Sequence, residues 1–181
     1  MSEFTVAQAQ ADMRVGYLSG APGVAVSATA WLVAAGVALA ATPTAATWAL
    51  LIGGAFIHPV SILVTKLLGS PGTHATANPM AGLALESTFW LLAGIAIALG
   101  AQALQPEWFF PAMLLLIGGR YLTFQTIYGI RLYWLLGAVL CGAGILLVLL
   151  RVPVFAGALT GGLLELAFAA ALYTRARHSA A

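Results

Sequence analysis

The chain has 181 residues, of which 62% are hydrophobic and 7% are charged, and its formal net charge is +2. Soluble domains usually have about a quarter of their residues charged, so this composition is typical of a membrane protein. The few basic residues are scattered rather than clustered, which excludes the basic stripe of a nucleic-acid-binding protein.

Six apolar stretches follow one another along the sequence, each near the roughly 20 residues that a helix needs to cross a bilayer. Proline, glycine and polar residues separate them where a helix must stop. The predicted spans are 21–41, 48–68, 81–103, 109–127, 131–150 and 154–174. We therefore predict an all-α polytopic membrane bundle that forms one transmembrane domain over residues 1–181, because too few residues remain for a second domain.

The basic residues predict the orientation of these spans. Positive charges near span ends are retained on the cytoplasmic side. Five lysines and arginines border one predicted side and a single arginine, Arg151, borders the other; the five are Arg14, Lys66, Arg131, Arg175 and Arg177. We expect a multi-pass cell-membrane protein of the bacterial inner-membrane type, with both termini, including the tail 175–181, in the cytoplasm.

Residues 1–18 are less hydrophobic than the spans but carry one apolar helical stripe, formed by Phe4, Ala7, Ala11, Val15 and Leu18. This pattern predicts an amphipathic helix lying in the membrane surface. A flexible polar tail is the alternative.

A glycine-pair pattern recurs in the second, fourth and sixth spans, at 51–54, 116–119 and 159–162. Recurrence at this spacing suggests three helical hairpins of common ancestry. The alternative is that small residues are placed there only to let helices approach closely. Gly157 and Gly161 extend such a face in the sixth span, and we expect this face to mediate a possible homo-oligomer.

Four ionisable residues fall inside predicted spans, namely His58, Glu86, Arg120 and Glu165. A charge at the centre of a span costs about 3 kcal/mol on insertion scales, so such residues usually face the bundle interior and mark functional sites. His58, Arg120 and Glu165 are each ten or eleven residues into their spans, which predicts one level near the midplane. We expect Arg120 and Glu165 to pair there, with His58 in the same pocket and Glu86 toward the cytoplasmic mouth. The alternative is a buried pair that only fixes helix register.

The sequence offers no pattern for a metal or a cofactor. His58, His74 and His178 lack the spacing of metal ligands. Gly142-Ala143-Gly144 lacks the third glycine and the strand of a dinucleotide-binding motif. Cys141 is the only cysteine, so it has no partner for a CxxC site. We expect no metal and no cofactor.

Several short motifs between residues 50 and 150 resemble those of an uncharacterised family of small bacterial integral-membrane proteins, a domain of unknown function. They are Asn78-Pro79, Phe89-Trp90, Pro106-Glu107-Trp108, Gly118-Gly119-Arg120-Tyr121-Leu122 and Tyr128. The resemblance implies a helical membrane protein and no particular reaction. The family pattern has glycine, serine and histidine where Gly118, Gly119 and Arg120 stand here, so it implies no family-wide role for Arg120.

Three functions are open at this point. The first is a small-solute or ion transporter, channel or binding protein whose site contains the four ionisable residues. The second is an intramembrane enzyme that acts on a lipid or isoprenoid, with Glu165 or Glu86 as acid and His58 as base. The third is a structural or accessory membrane subunit. The expected partners are membrane lipids, a small-molecule ligand and a second copy of the chain, with no nucleic acid.

Overall fold

The computed structural model describes residues 4–178, and within that range the chain is all-helical, with no strand. Two short 3₁₀ turns, Leu18–Gly20 and Pro106–Trp108, join consecutive helices. The helices are α1 Val6–Tyr17, α2 Ala21–Ala40, α3 Pro43–Leu67, α4 Met80–Leu104, α5 Phe109–Tyr128, α6 Leu132–Leu150 and α7 Val154–His178. The all-α bundle is confirmed. The predictions for residues 1–3 and 179–181 lie outside the described residues.

Five helical runs are long and apolar enough to cross a membrane, which fits a multi-pass membrane protein. They are Val6–Ala40, which contains α1 and α2, and Pro43–Leu67, Met80–Leu104, Leu132–Leu150 and Val154–His178. The sequence predicted six, and α5 is the helix that is not among the five. Its polar residues, Arg120 and Gln125 among them, lower its hydropathy, and the packing of α5 against α4 and α6 shields much of its surface.

The long helices pack as antiparallel neighbours at points where glycine removes a side chain. The α2 helix contacts both α3 and α7, and α5 contacts both α4 and α6. Gly118 of α5 and Gly137 of α6 let these two backbones touch, because a Cβ on either glycine would lie within 2.8 Å of the other's carbonyl oxygen. The α6 and α7 helices also contact each other, but their larger interfaces are with α5 and α2. A common ancestry of the three hairpins stays a prediction.

The glycine face of α7 is turned into the bundle. A Cβ at Gly161 would lie 2.6 Å from the Trp31 ring of α2, and one at Gly162 would lie 2.7 Å from Leu32. The α2 helix of the same chain therefore packs on this face, and a homo-oligomer stays a prediction.

The α1 helix forms as expected, with a capping box in which Thr5 and Gln8 bond reciprocally. It is docked on the chain rather than free. The Asp12 carboxylate accepts hydrogen bonds from the Ala75 backbone N–H (2.9 Å) and the Asn78 side chain (2.7 Å). These donors, Asn78 foremost, lower the pKa of Asp12 despite some desolvation. Whether α1 lies in a membrane surface stays a prediction.

Further hydrogen bonds join α1 to two other segments, the connection between α3 and α4 and the end of α5. We call this set of hydrogen bonds the α1 clasp. Gly72 donates its backbone N–H to the carbonyl of Gly16 (2.9 Å), which fixes the connection between α3 and α4. Arg14 donates to the carbonyl of Tyr128 (2.6 Å), and Gln10 donates to that of Thr126 (2.9 Å), both at the end of α5. These two segments and the end of α7 therefore lie on one side of the bundle, here called the α1 side.

Asn78 has a second role beyond the clasp. Its Oδ1 accepts the backbone N–H of Met80 (2.9 Å), which supplies a partner for a free donor at the start of α4. Its Nδ2 also reaches the carbonyl of Ala9 (3.0 Å). The Asn78-Pro79 motif thus joins the start of α4 to α1.

Candidate functional site

Glu165 of α7 lies at the centre of the bundle and is wholly buried. Its Oε1 accepts a hydrogen bond from the hydroxyl of Tyr121 on α5 (2.9 Å). Glu165 is the twelfth residue of α7 and Tyr121 the thirteenth of α5, and both helices run from the opposite side toward the α1 side. Glu165 and the middle of α5 are therefore at one level, as the sequence predicted.

Two buried polar atoms in this region form no well-aligned hydrogen bond among the described residues: Oε2 of Glu165 and Nε1 of Trp31. The buried Ser27 side chain of α2 is also directed at the Glu165 carboxyl group. The two atoms lie in neighbouring turns of the interface between α2 and α7, since the Trp31 ring packs against Gly161, one turn before Glu165. One atom is a hydrogen-bond acceptor and the other a donor. Unpartnered buried polar atoms are rare in native proteins, and each calls for an explanation such as a catalytic or ligand-binding role.

Arg120 is half-buried and turns toward α4. Its Nη2 donates to the hydroxyl of Thr88 (2.9 Å), and its Nε lies 3.5 Å from the hydroxyl of Ser87. The guanidinium also lies 5.1 Å from the ring centre of Phe124, a cation–π contact. Its partners are thus hydroxyl groups and an aromatic ring, all of them uncharged.

The expected ion pair between Arg120 and Glu165 is not formed within the described part of the chain. Adjacent residues of a helix point about 100° apart, so Arg120 and Tyr121 cannot face the same neighbour. Tyr121 faces α7 and takes the carboxylate, while Arg120 faces α4. The prediction placed the right helices together but assigned Glu165 to the wrong residue of α5.

His58 and Glu86 lie on exposed faces of α3 and α4 rather than in a closed pocket with Glu165. A common pocket for His58, Arg120 and Glu165 is therefore not what the structure shows. These two helices are the least buried of the five candidate spans. The α3 helix packs mainly against α2, and α4 packs mainly against α5, so the two outer helices leave a gap between them.

This gap contains a cavity of about 540 Å³ near the side of the bundle opposite α1. Thr47 of α3 and Leu99 of α4 are among its lining residues. His58 follows Thr47 by eleven residues and Thr88 precedes Leu99 by eleven, which is three helical turns and about 16 Å in each case. His58 and Thr88 therefore lie three turns from the cavity along the two helices that border it, and we call the whole gap between α3 and α4 the lateral cleft.

Arg120 reaches the lateral cleft through Thr88. Three residues lie at a similar distance from the ends of their helices on the α1 side. This distance is eight residues for Thr88 and Arg120 and nine for His58, or about 12 to 13 Å at 1.5 Å per residue. Arg120 and His58 thus lie at one level along the bundle, and Tyr121 and Glu165 lie beside the arginine on α5 and α7.

An aromatic cluster connects this level with the α1 side, and the sequence reasoning missed it. Tyr133 of α6 stacks on both Tyr121 (5.9 Å) and Tyr128 (5.5 Å), and Phe124 meets all three rings edge-on. The Tyr133 hydroxyl donates to the carbonyl of Ser19 (2.8 Å). Tyr121, Phe124 and Tyr128 are spaced by three and four residues on α5, a helical spacing that could have identified them.

Among residues 4–178, no three His, Cys, Asp or Glu side chains are grouped closely enough to hold a metal ion.

The fold is an all-helical bundle whose five long apolar helical runs fit a multi-pass membrane protein, with Arg120 and Glu165 at mid-bundle. The chain belongs to the family of unknown function DUF7010, whose family model matches residues 6–175. The resemblance to a family without an assigned function is thus confirmed, and the match extends well beyond residues 50 to 150. No curated protein and no solved structure matches the chain.

Proposed function

We propose that this chain is a membrane protein that binds and transports a small, negatively charged solute, with Arg120 as the anion-binding group in the lateral cleft. The observation that carries the proposal is that Arg120 lies at mid-bundle with only neutral partners. Its direct contacts are to hydroxyl groups and an aromatic ring, and the Glu165 carboxyl acts on it only at longer range. An anion that contacts the guanidinium directly therefore gains a strong interaction at this depth. A guanidinium suits carboxylate and phosphate groups because it can donate two parallel hydrogen bonds.

The missing ion pair supports this function over a purely structural role. If Arg120 and Glu165 only fixed helix register, the two side chains would neutralise each other. Instead, the guanidinium is directed to α4, and the carboxyl group is directed to Tyr121 and toward Ser27 of α2. Both groups thus keep hydrogen-bonding capacity for a ligand.

His58 and Glu165 have separate parts in the proposal. His58, on the cleft-facing side of α3, is a second donor to an anion that enters between α3 and α4. Glu165 is a proton-binding carboxyl behind the cleft, and Tyr121 is its link to the helix that carries Arg120. A proton on Glu165 would leave a neutral acid in the core, which is a way to couple solute binding to proton movement.

The experiment uses the full chain in lipid nanodiscs, with benzoate and laurate as anionic probes. A ligand that binds only the folded state raises stability by RT ln(1 + [L]/Kd), or about 1.4 kcal/mol at ten times Kd. We expect at least one probe to raise the thermal midpoint of the wild type and of Arg131→Gln. Arg131→Gln is the matched control, because it removes an exposed arginine away from the cleft. Arg120→Gln should abolish the shift.

The same variants in proteoliposomes test transport. Uptake of the radiolabelled probe should exceed that of empty liposomes and should be lost in Arg120→Gln. The absence of any anion-dependent shift in the wild type, or an equal shift in Arg120→Gln, would overturn the proposal.

The opening of the cleft between two weakly packed outer helices favours a second candidate, an enzyme that acts on an anionic lipid. A lipid could enter this gap sideways from the bilayer. Mass spectrometry of laurate or of total membrane lipids after incubation separates the two: a transporter releases its ligand with unchanged mass, whereas an enzyme changes it.

A further inference from the structure

A second cavity, of about 630 Å³, lies at the α1 side, far from the level of Arg120 along the bundle. It is formed where several segments end: the last turn of α1, the residues after α3, the turn after α5 and the last turns of α7. We call it the α1 pocket. Its position at helix ends is where lipid head groups meet a membrane-spanning bundle.

The lining of the α1 pocket is basic on one part and apolar on another. Arg14 and Arg175 supply two guanidinium groups, and Val15, Leu18 and Ile130 supply apolar surface. No acidic side chain is among the described lining residues. The nearby Asp12 is on a different face of α1, where it binds Asn78 and the backbone of Ala75.

Arg14 is held in position for this role. Its Nη1 donates to the carbonyl of Tyr128 (2.6 Å), which anchors the side chain at the end of α5. A guanidinium has five N–H donors, and this bond uses one of them. Arginine beside apolar surface at a helix boundary is the chemistry that recognises a phosphate ester attached to an acyl chain.

We propose that the α1 pocket binds the phosphate of a net-anionic phospholipid, with Arg14 and Arg175 on the phosphate and Val15, Leu18 and Ile130 against the glycerol and upper acyl chain. This site is distinct from the lateral cleft and does not depend on transport. The lipid joins α1 to the end of α7, two segments that the pocket brings together.

Free inorganic phosphate shares the charge but lacks the apolar part. The apolar lining therefore favours the lipid, and the experiment includes both ligands.

The test titrates the full chain, in a zwitterionic detergent, with dioctanoyl phosphatidylglycerol, dioctanoyl phosphatidylcholine and inorganic phosphate, and measures binding by native mass spectrometry and thermophoresis. A basic residue near an anionic head group contributes roughly fivefold in affinity, so removing both arginines should cost roughly thirtyfold. We expect phosphatidylglycerol to bind at least tenfold more tightly than either other ligand.

Arg175→Gln alone should weaken phosphatidylglycerol binding roughly fivefold. Arg177→Gln is its matched control. Arg177 is in the same last turn of α7, but it bonds to the hydroxyl of Tyr173 (3.0 Å) and is not among the lining residues. Circular dichroism checks folding, and if Arg14→Gln disturbs α1, then Arg175→Gln and Arg14→Lys carry the test.

Three results would overturn the proposal. Equal affinity for phosphatidylcholine would show that the charge is not recognised. An equal loss in Arg177→Gln would show diffuse attraction to the helix end rather than a pocket. Inorganic phosphate binding as tightly as the lipid would assign the site to the free anion. The lateral cleft is tested separately by the same variant. Arg175→Gln should lose phosphatidylglycerol affinity but keep the rise in thermal midpoint that the anionic probes cause through Arg120.

Discussion

The bond between Tyr121 and Glu165 should be the strongest coupling between polar side chains in the bundle core. Tyr121→Phe removes only the hydroxyl and keeps the ring that stacks with Tyr133 and Phe124. It removes the hydrogen bond that the Tyr121 hydroxyl donates to the wholly buried Glu165, whose other hydroxyl neighbour is Ser27.

The magnitude follows from burial and from the membrane setting. Hydrogen bonds to charged groups contribute about 1.5 to 3 kcal/mol in soluble proteins. Between membrane helices, measured side-chain hydrogen bonds average about 0.6 kcal/mol with a maximum near 1.7, because the unfolded helices also find partners. Since both residues are buried, we expect a value near that maximum, so Tyr121→Phe should lower the free energy of unfolding by about 1.5 kcal/mol.

The assay is a double-mutant cycle measured by SDS-induced unfolding in mixed micelles. In a Glu165→Leu background the acceptor is gone, so Tyr121→Phe should cost almost nothing and the coupling energy should be about 1.5 kcal/mol. Arg120→Gln combined with Glu165→Leu should show a smaller coupling energy than the Tyr121 cycle, since Arg120 does not contact Glu165 directly and acts on it only at longer range.

Tyr133→Phe is the matched control, because its hydroxyl donates to the carbonyl of Ser19 rather than to Glu165. It should be additive with Glu165→Leu. An equal effect of Tyr121→Phe with and without Glu165, or a larger coupling for Arg120 than for Tyr121, would refute this reasoning and restore the ion pair expected from the sequence.

Three further predictions concern packing, pH and orientation. Gly161→Ala, whose Cβ would meet the Trp31 ring, should destabilise the bundle by about 1 to 3 kcal/mol in the same unfolding assay, whereas Gly142→Ala, with open space around it, should be neutral. Because the Asn78 side chain lowers the pKa of Asp12 in the folded chain, the contribution of Asp12 to stability is full at neutral pH and is lost as the pH falls through that lowered pKa. Amide exchange at residues 72–78 should therefore accelerate in acid, and Asp12→Asn should accelerate it already at pH 7. A cysteine at exposed position Thr76, in a chain without Cys141, should resist an impermeant thiol reagent added to intact cells and react in inside-out vesicles; labelling of intact cells would invert the proposed orientation.

Composition and apolar length were sufficient to predict the helices. Proline and glycine between the apolar stretches located the breaks, and the observed helix ends mostly fall within a few residues of the predicted ones. The exception is α3, which begins at Pro43 rather than at residue 48, because proline is favoured in the first turn of a helix.

The direction in which each polar side chain faces could not be read from the sequence. In a soluble helix the polar residues mark the outer face, but a membrane helix is apolar on all sides, and lipid and bundle interior favour similar residues. Depth is set by distance along the chain, so the common level of Arg120 and Glu165 was predictable. The rotation of a helix about its own axis is set by the helices that it packs against, which the sequence does not show. We therefore predicted His58 in the core, although it lies on an exposed face of α3.

The aromatic residues illustrate the same difficulty for partners. Tyr121 follows Arg120 directly in the sequence. Because arginine and glutamate carry opposite charges, we predicted that Arg120 would pair with Glu165. In the bundle, the tyrosine hydroxyl takes that place because it faces α7. In a low-dielectric core a neutral donor can serve a carboxyl group, so charge complementarity alone does not identify the partner.

The α1 clasp has a consequence for the order in which the chain assembles during synthesis. The α1 helix leaves the ribosome before the groups that it binds, because Ala75 is 63 residues and Tyr128 is 114 residues further along the chain than their partners in α1. A ribosome adds about 5 to 20 residues per second, so α1 stays undocked for several seconds until α5 has been synthesised. The α1 helix is therefore translated before α3, α4 and α5 but can dock only after them, so a docked α1 indicates that these helices have been made and packed together.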